Sequence, residues 1–298
     1  MSTTSDTVRR LFKEGDDIRD AGLTTPDDIV RIDNIHYAEE DPCQVLDIYR
    51  PRDAEGERIP VIVSVHGGGW VYGDKDRYQW YCMSLAQHGF AVVNFTYRLA
   101  PEHKFPAGMQ DTNLVFDWVL RHSNEFGFDA DHVFAVGDSA GAHMLAMYAA
   151  ACTDATYAAE LGICPPEGFV PAGVALNCGT YRISAAKKTG DAMLDMLASL
   201  MEDLLPGGGT AEEFRLLSPI ERIGADFPPA FVMTAEGDFL RTEALPLVHK
   251  LDDLGIEVCY HYYKSPEREL GHVFHCNMRL AEAMQCNADE CAFFWAHV

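Results

Sequence analysis

The chain has 298 residues, and its 46 acidic side chains against 23 basic ones give a formal net charge of −23 at pH 7. Hydrophobic residues make up 48%, which is ordinary for a globular protein and too high for a disordered one. Nucleic acid and anionic membrane surfaces both select for surplus Lys and Arg, so we expect neither as a partner.

The chain shows no sign of export or membrane insertion. No stretch approaches the roughly 20 consecutive apolar residues of a membrane span, and the N-terminal segment lacks the apolar core of a secretory signal. The nine cysteines are scattered, with no C-x-x-C pair. These features predict a cytoplasmic protein with reduced thiols.

Short β-branched runs alternate with helical patterns along the chain. The predicted strands are, in order, 61–65, 90–97, 133–136, 172–176, 230–234 and 256–262. The predicted helices are 76–88, 109–121, 143–152, 243–254 and 278–295. Alternation of this kind predicts one α/β domain over residues 1–298, with a mostly parallel central sheet and helices on both faces.

Two segments depart from this alternation. Residues 1–40 are polar and weakly helical, and residues 180–228 carry a helical pattern, a glycine run and a proline pair. An insertion of the second length between strands is usually functional or disordered. We expect both segments to form a small cap over an active site.

The pattern G-D-S-A-G at residues 137–141 follows a predicted strand and opens a helix of small residues. A sharp strand-to-helix turn of this kind presents its central residue, here Ser139, as a nucleophile at the positive end of the helix. A tight turn with a buried serine is the structural alternative.

The sequence H-G-G-G-W at residues 66–70 follows another predicted strand. Glycines leave backbone N–H groups free to bind a developing oxyanion. A phosphate-binding loop is the alternative, but no Lys-Ser/Thr pair follows and no G-x-G-x-x-G is present. The ring of His66 is expected to form a hydrogen bond with the backbone of the loop rather than to act as a base.

A hydroxyl nucleophile needs a base, and the base needs an orienting carboxylate. Asp238 and His272 both follow predicted strands, in the order Ser, Asp, His, and are expected at the same sheet edge as Ser139. Glu236 competes with Asp238, and His275 competes with His272. A metal held by His272, His275 and Cys276 is not expected, because no second ligand pair accompanies them.

These motifs resemble the hormone-sensitive-lipase-like esterases of the α/β-hydrolase fold. The carrying segments are HGGGW, YRLAPEHKFPAG, GDSAG, EGDFLRTE and GHVF, which span most of the chain. The resemblance implies Ser139, Asp238 and His272 as the catalytic triad, an N-terminal cap and no cofactor. It also implies an oxyanion hole formed by Gly68, Gly69 and Ala140.

The chain departs from that family at three places. Ala142 follows GDSAG where these enzymes often carry glycine, and FLRTE follows Asp238 where Pro-Leu-Arg-Asp-Glu is more usual. The segment SPERELGH before the histidine is long and charged.

The pattern therefore predicts a serine carboxylesterase that acts on a small-molecule ester through an acyl-enzyme. An amidase or deacylase, such as an aryl-formamidase or an acetylated-sugar esterase, shares the same constellation. A non-catalytic binding protein on this scaffold is the alternative from another class. A homo-oligomer is compatible with the sequence.

Four residues are candidates for substrate binding. Residues 191–205 form an amphipathic pattern whose apolar arc includes Met193, Leu197 and Leu200, and Trp70 follows the glycine loop. If the segment is a cap helix rather than a plain core helix, acyl chains of about two to six carbons are favoured. Arg98 and Glu102 are expected to pair beneath the catalytic loops.

Overall fold

Eight strands form one sheet in the computed structural model, which describes residues 3–184, 190 and 192–298, without the side chains of residues 192–194 and 197. The strands are β1 (Ile29–His36), β2 (Val45–Pro51), β3 (Ile59–Val65), β4 (Ala91–Phe95), β5 (Phe128–Asp138), β6 (Gly173–Asn177), β7 (Ala230–Ala235) and β8 (Val258–Tyr263). Their spatial order is β1-β2-β4-β3-β5-β6-β7-β8. The pairs β1/β2 and β2/β4 are antiparallel, and the remaining pairs are parallel.

The helices of the described residues connect and cover these strands. They are α1 (Thr3–Asp20), α2 (Lys75–Ala86), α3 (Ala107–Arg121), α4 (Ser123–Phe126), α5 (Ala140–Thr153), α6 (Ala155–Glu160), α7 (Ala192–Leu204), α8 (Ala211–Leu216), α9 (Ala244–Asp253) and α10 (Ala281–Trp295). No helix in this part of the chain combines the length and apolar character needed to cross a bilayer.

The sheet separates two apolar cores because successive side chains of a strand point to opposite faces. Val61 and Val63 of β3 join the larger core, to which α3, α5 and α9 contribute. Ile62 joins the second core, which α2 and α10 complete. All seven residues of β3 are buried, which explains why this strand reads as a continuous apolar run.

The predicted parallel sheet with helices on both faces is confirmed, and each of the six predicted strands corresponds to one of β3 to β8. The description of residues 1–40 as a weakly helical cover is wrong in its second half, because residues 29–36 form the edge strand β1. Strand β2 was also missed. Both strands lie on the antiparallel side of the sheet, where the alternating strand–helix pattern does not apply.

The expected pairing of Arg98 with Glu102 is wrong. Arg98 pairs with the buried Asp111 at 2.8 Å, and Glu102 pairs with Arg9 of α1 at 2.5 Å. Arg9 also donates to the carbonyls of Val71 and Ala100. The ion pair and hydrogen bonds of Arg9 therefore hold α1 against the loops that follow β3 and β4.

Candidate active site

The turn between β5 and α5 places Ser139 in a backbone conformation that non-glycine residues rarely adopt. Its φ is 51° and its ψ is −117°. A Cβ on Gly141 would lie 2.0 Å from the carbonyl oxygen of Val65, and one on Gly137 would lie 2.7 Å from Gly141. Only glycine fits at these two positions. The sequence thus forms a strained elbow that raises Ser139 above the sheet.

Three side chains from different strand ends form one hydrogen-bonded chain at this elbow. The Nε2 atom of His272 lies 2.9 Å from Oγ of Ser139. The Nδ1 atom of the same ring lies 2.7 Å from Oδ1 of Asp238. Asp238 follows β7 and His272 follows β8, so the parallel sheet brings both to the edge where β5 ends. The arrangement can move a proton from the serine hydroxyl to the imidazole.

The two competing residues lie elsewhere. The Glu236 carboxylate accepts the backbone N–H of Ser265 at 3.3 Å. The His275 ring is fully buried, edge-on to Tyr81 with centroids 4.9 Å apart. Burial, together with the nearby His272, lowers the pKa of His275 to about 3. His275 is therefore neutral and does not reach the serine.

The surroundings of Asp238 keep it ionised although it is fully buried. Burial by itself raises a carboxyl pKa, but the hydrogen bond from His272 and that from Thr234 outweigh it and lower the pKa of Asp238 below its usual value. Thr234 donates to Oδ2 at 2.7 Å, and the N–H of Leu240 donates to Oδ1 at 2.9 Å. A fixed, charged carboxylate orients the imidazole and stabilises its protonated form.

The glycine loop after β3 faces Ser139 with free backbone donors. The N–H of Gly67 is occupied by Tyr78 and Asp138. Within the described residues no hydrogen bond engages the N–H groups of Gly68 and Gly69. Gly68 has a φ of 114°, and a Cβ there would lie 2.0 Å from the carbonyl oxygen of Tyr72. Ala140 opens α5, so its N–H has no partner within the helix.

Asp138, the residue before the serine, holds this loop, and sequence reasoning did not single it out. Its Oδ1 accepts the Gly67 N–H at 3.1 Å and its Oδ2 accepts the Tyr78 hydroxyl at 2.8 Å. Complete burial raises the pKa of Asp138 to about 6. Its position inside the G-D-S-A-G pattern is the signal that could have drawn attention to it.

His66 is a structural residue, as expected. Its ring stacks on Tyr97 with centroids 4.0 Å apart, and Nδ1 lies 2.7 Å from the carbonyl oxygen of Gly67. Because a carbonyl only accepts, Nδ1 carries the proton. Burial lowers the pKa of His66 to about 4, so the ring is neutral.

A cavity of about 290 Å³ opens onto Ser139, Gly68, Gly69 and His272. Helix α1 contributes much of its wall, through Leu11, Phe12, Gly15, Asp16 and Arg19. The wall is amphipathic: Asp16 accepts the Tyr72 hydroxyl at 2.8 Å and pairs with Arg19 at 2.9 Å. The contribution of individual α1 residues was not predicted, because the segment carries no motif.

The four substrate-binding candidates have different positions. Leu200 is buried in α7, and its Cδ1 lies 3.1 Å from where a Cβ on Gly69 would stand. The side chains of Met193 and Leu197, and residue Asp191 at the start of the predicted helix, lie outside the described residues.

The expected contact of Trp70 with substrate requires correction. The ring is 7% exposed and packs edge-on against His143 at 5.3 Å between centroids. It lines a separate small cavity with Phe105, Met144 and Leu217, rather than the wall beside Ser139. The reason is local: Trp70 has a φ of 62°, and the turn directs its side chain into the larger core.

Potential metal ligands converge at one place in the described part of the chain. Ligand atoms of Cys178, Asp238 and His272 all lie within 4.8 Å of one another. Asp238 and His272 already form a hydrogen bond with each other. His275 and Cys276 are not part of this group. A dedicated metal site is therefore not indicated by these residues.

Comparison with known proteins places this geometry in a family. Residues 62–276 match the model of a family described as alpha/beta hydrolase fold. Esterase LipC of Mycobacterium tuberculosis is 31% identical over 208 residues, which are 67% of this chain and 49% of LipC. Carboxylesterase NlhH of the same organism is 30% identical over 209 residues, 68% of this chain and 63% of NlhH. The matched region thus spans about half to two thirds of these relatives.

Two solved structures superpose on nearly the full length of this chain. Esterase B from Lactobacillus Rhamnosis (HN001) superposes with a TM-score of 0.87 at 27% identity, covering 99% of this chain and 95% of that one. An esterase from Pyrobaculum calidifontis superposes with a TM-score of 0.79 at 27% identity, covering 99% and 94%. The fold and the elbow define an α/β hydrolase. The chain belongs to the alpha/beta hydrolase fold family, and the resemblance stated from its motifs is confirmed at this level.

Proposed function

We propose that this protein is a serine carboxylesterase that cleaves short- to medium-chain acyl esters through a Ser139–His272–Asp238 triad. The observation that carries the proposal is the unbroken chain of hydrogen bonds from Ser139 Oγ through the His272 ring to Asp238, with distances of 2.9 and 2.7 Å. The named relatives are esterases, and this supports esters over other acyl compounds.

The first half-reaction forms an acyl-enzyme. Ser139 attacks the ester carbonyl as His272 Nε2 takes the hydroxyl proton, and Asp238 stabilises the resulting imidazolium. The oxyanion that develops on the carbonyl oxygen is bound by the N–H groups of Gly68, Gly69 and Ala140. Collapse of the tetrahedral intermediate expels the alcohol, which receives its proton from His272.

The second half-reaction releases the acid. Water attacks the acyl carbon while His272 accepts its proton, and the same N–H groups bind the second oxyanion. Ser139 then leaves with the proton returned by His272. Since Gly67 is held by Asp138 and Tyr78, the loop presents its next two N–H groups to the serine in both steps.

A limited acyl length follows from the walls of the cavity. Leu200 of α7 lies against Gly69, beside the proposed oxyanion hole. Two solved structures of Esterase B from Lactobacillus Rhamnosis are described as C6-C4 SN3 inhibited and as inhibited with a C4-C4 SN3 tributyrin phosphonate. We expect activity on acyl chains of about two to six carbons and little on long-chain lipids.

The direct test compares p-nitrophenyl esters of graded acyl length with the matching p-nitroanilides. We expect kcat/KM to be highest for acyl chains of about two to six carbons, and the anilides to react far more slowly. Anilide turnover equal to or faster than that of the ester would reassign the protein as an amidase. No turnover of either class would leave a binding protein on the hydrolase scaffold.

A further inference from the structure

Helix α1 forms one wall of the cavity that opens onto the proposed nucleophile, and this wall changes character along the helix. The residues of α1 that line the cavity are Leu11, Phe12, Gly15, Asp16 and Arg19. Their spacing of three and four residues places them on one face of the helix. That face is apolar at Leu11 and Phe12 and becomes polar at Asp16 and Arg19.

The two ends of α1 lie at different parts of the site. Near its N-terminal end, Ser5 donates a hydrogen bond to Asp203 of α7, one turn after Leu200. At its C-terminal end, the carbonyl of Arg19 accepts the Nε–H of Arg279 at 3.0 Å. Arg279 belongs to the segment that follows the loop of the proposed base. The apolar half of the wall therefore lies nearer to α7, and the polar half lies nearer to that loop.

The polar half of the wall lies on the side of the leaving alcohol. In the proposed reaction His272 gives its proton to the alcohol, so the alcohol lies against this ring when the tetrahedral intermediate collapses. Phe239, Val273 and the imidazole line the same cavity as the polar half of α1. The Phe239 ring lies beside the imidazole, with centroids 4.2 Å apart. An alcohol that is bound there extends into the part of the cavity that α1 borders with its polar residues.

Asp16 and Arg19 hold each other in place and keep unused hydrogen-bonding capacity. Oδ1 of Asp16 pairs with Nη1 of Arg19 at 2.9 Å, and Oδ2 accepts the Tyr72 hydroxyl at 2.8 Å. An ionised carboxylate has about four acceptor positions, so about two stay open among the described contacts. Nε and Nη2 of Arg19 donate to the Asp20 carboxylate and to the carbonyl of Arg77. An N–H of Nη1 is left without a partner in the described residues.

An acceptor and a donor side by side match a hydroxyl group, which both donates and accepts. The wall has no surplus positive charge for an anionic group, because Arg19 faces the carboxylates of both Asp16 and Asp20. A plain alkyl group would displace water from these polar atoms without replacing its hydrogen bonds. The wall therefore favours an alcohol that carries further hydroxyl groups.

Gly15 leaves room for such an alcohol. It lies in the middle of α1, where glycine lowers helix stability relative to alanine. A Cβ built on Gly15 meets nothing within 4 Å, so no neighbouring atom requires its absence. On the wall, Gly15 stands between Leu11 and Arg19, four residues from each. The missing side chain widens the cavity directly beside Asp16.

We propose that Asp16, Arg19 and Gly15 form a subsite for the alcohol part of the ester, which selects alcohols with hydroxyl groups close to the ester oxygen, as in a partial ester of a polyol. The inference rests on the proposed esterase function. Asp16 accepts the proton of one hydroxyl, and the unpaired N–H of Arg19 donates to a hydroxyl oxygen. These residues determine which alcohol is bound and do not act on the reacting atoms.

Two butyrate esters with the same carbon skeleton test the subsite. The alcohol of 1-monobutyrin carries two hydroxyl groups, and the alcohol of n-propyl butyrate carries none beyond the ester oxygen. Both esters form the same butyryl-enzyme, so the ratio of their kcat/KM values reports the alcohol alone. The difference in intrinsic reactivity between the esters is the same for every variant, and it cancels when variants are compared.

Two substitutions change the subsite in different ways. Asp16→Ala removes the acceptor, and we expect the ratio of kcat/KM for monobutyrin over propyl butyrate to fall by about 10-fold or more, because only one of the esters loses a hydrogen bond to a charged group. Gly15→Leu fills the space with an apolar side chain without removing a polar group. We expect it to lower the same ratio by about 5-fold or more.

Asp17→Ala is the matched control on the same helix. Asp17 is the next carboxylate of α1, accepts hydrogen bonds from Lys13 and Arg77, and does not line the cavity. We expect its ratio to stay within about 2-fold of wild type. If Asp16 only held α1 in place, Asp16→Ala would lower both kcat/KM values by the same factor and leave the ratio unchanged.

A binding measurement separates this inference from the proposed function. In the Ser139→Ala background, saturation-transfer NMR titrations give the dissociation constants of both esters without turnover. We expect the affinity for monobutyrin relative to propyl butyrate to fall by about 5-fold when Asp16→Ala is added, and to stay unchanged when Asp17→Ala is added.

The possible results have different meanings. A wild type that cleaves neither ester overturns the proposed function, while a binding preference that depends on Asp16 still supports the subsite. An inactive wild type without that preference overturns both. An active wild type whose ratio is unchanged in Asp16→Ala, or changes as much in Asp17→Ala, overturns the subsite. If Asp16→Ala does not fold, the ratio in Gly15→Leu decides in the same way.

Discussion

Two histidines three residues apart have opposite environments. His272 bonds Ser139 and Asp238, whereas His275 is buried against Tyr81 with its Nδ1 lacking a partner among the described residues. Sequence reasoning favoured His272 as the base, with His275 as its competitor. The structure separates them because Val273, at a φ of 52°, turns the chain between them.

Substitution of these histidines should therefore have different effects. His272→Ala is expected to reduce kcat by about 10⁴-fold or more with little effect on folding. His275→Ala is expected to keep kcat within about 3-fold and to lower the free energy of unfolding by about 1–3 kcal/mol through the cavity it leaves. Steady-state kinetics and denaturant unfolding of the two purified variants provide the check. The reverse pattern would assign the base to His275.

Sequence reasoning did not identify residues whose roles depend on tertiary contacts. The proximity of Ser139, Asp238 and His272 could be predicted because their motifs have a fixed place at strand ends. Tyr78 has no such motif, and its hydrogen bond with Asp138 is a contact that the fold alone creates. Trp70 was assigned to substrate because it follows the glycine loop, but its positive φ sends the ring into the core.

Helix α1 forms much of the cavity wall, and α7 packs against α1. Arg9 of α1 bonds the carbonyls of Val71 and Ala100, Arg19 bonds the carbonyl of Arg77, and Ser5 bonds Asp203 of α7. Hydrogen bonds therefore hold α1 to α7, to α2 and to the loops that follow β3 and β4. The size of the acyl pocket should depend on side chains of these helices rather than on the sheet.

Leu200 offers the most direct test of this dependence. Leu200→Ala removes a buried side chain beside Gly69, and each methylene of substrate that fills the space gains about 0.8 kcal/mol. We expect the ratio of kcat/KM for octanoate over butyrate esters to rise by about 5- to 20-fold. The control is Leu251→Ala, a fully buried leucine of α9. An unchanged ratio in Leu200→Ala, or a control that changes equally, would show that α7 does not limit the acyl chain.

At the level of elements, the parallel strands were predictable and the antiparallel ones were not. Strands β3 and β7 are buried on both faces and read as continuous apolar runs. Strand β1 is an edge strand whose central residues Ile32, Asp33 and Asn34 are exposed, so no continuous apolar run marks it. Helix α1 could be recognised as polar and helical, but its place in the cavity wall follows only from packing.

Across the whole molecule, a buried carboxyl links the C-terminal helix to the nucleophile. Glu290 of α10 accepts hydrogen bonds from Tyr81 at 2.8 Å and from Asn177 at 2.9 Å. The carbonyl of Asn177 in turn accepts the N–H of Ser139 at 2.9 Å. Burial raises the pKa of Glu290 to about 7, although these two donors oppose the shift.

This raised pKa predicts how stability depends on pH. Between an ordinary glutamate pKa near 4.3 and the folded value of about 7, the native state binds more protons at Glu290 than the unfolded state does. Glu290 therefore contributes to the free energy of unfolding at low pH, and this contribution is lost as the pH rises through about 7. The loss should be on the order of 1–3 kcal/mol between pH 5 and pH 8.

The variant Glu290→Gln isolates the contribution of this carboxyl, since Asp138 nearby also has a raised pKa. We expect the free energy of unfolding of the variant to fall less between pH 5 and pH 8 than that of wild type. Denaturant unfolding at matched ionic strength measures both curves. Parallel curves would mean that Glu290 does not titrate in this range.

The central claim is that Ser139 is a live nucleophile, and a fluorophosphonate tests it most directly. Intact-mass and peptide mass spectrometry of the treated protein should show one covalent adduct on the peptide that contains Ser139. The variants Ser139→Ala and His272→Ala should remain unlabelled while keeping the wild-type circular dichroism spectrum. A folded wild type that gains no adduct, or gains it on another residue, would contradict the account.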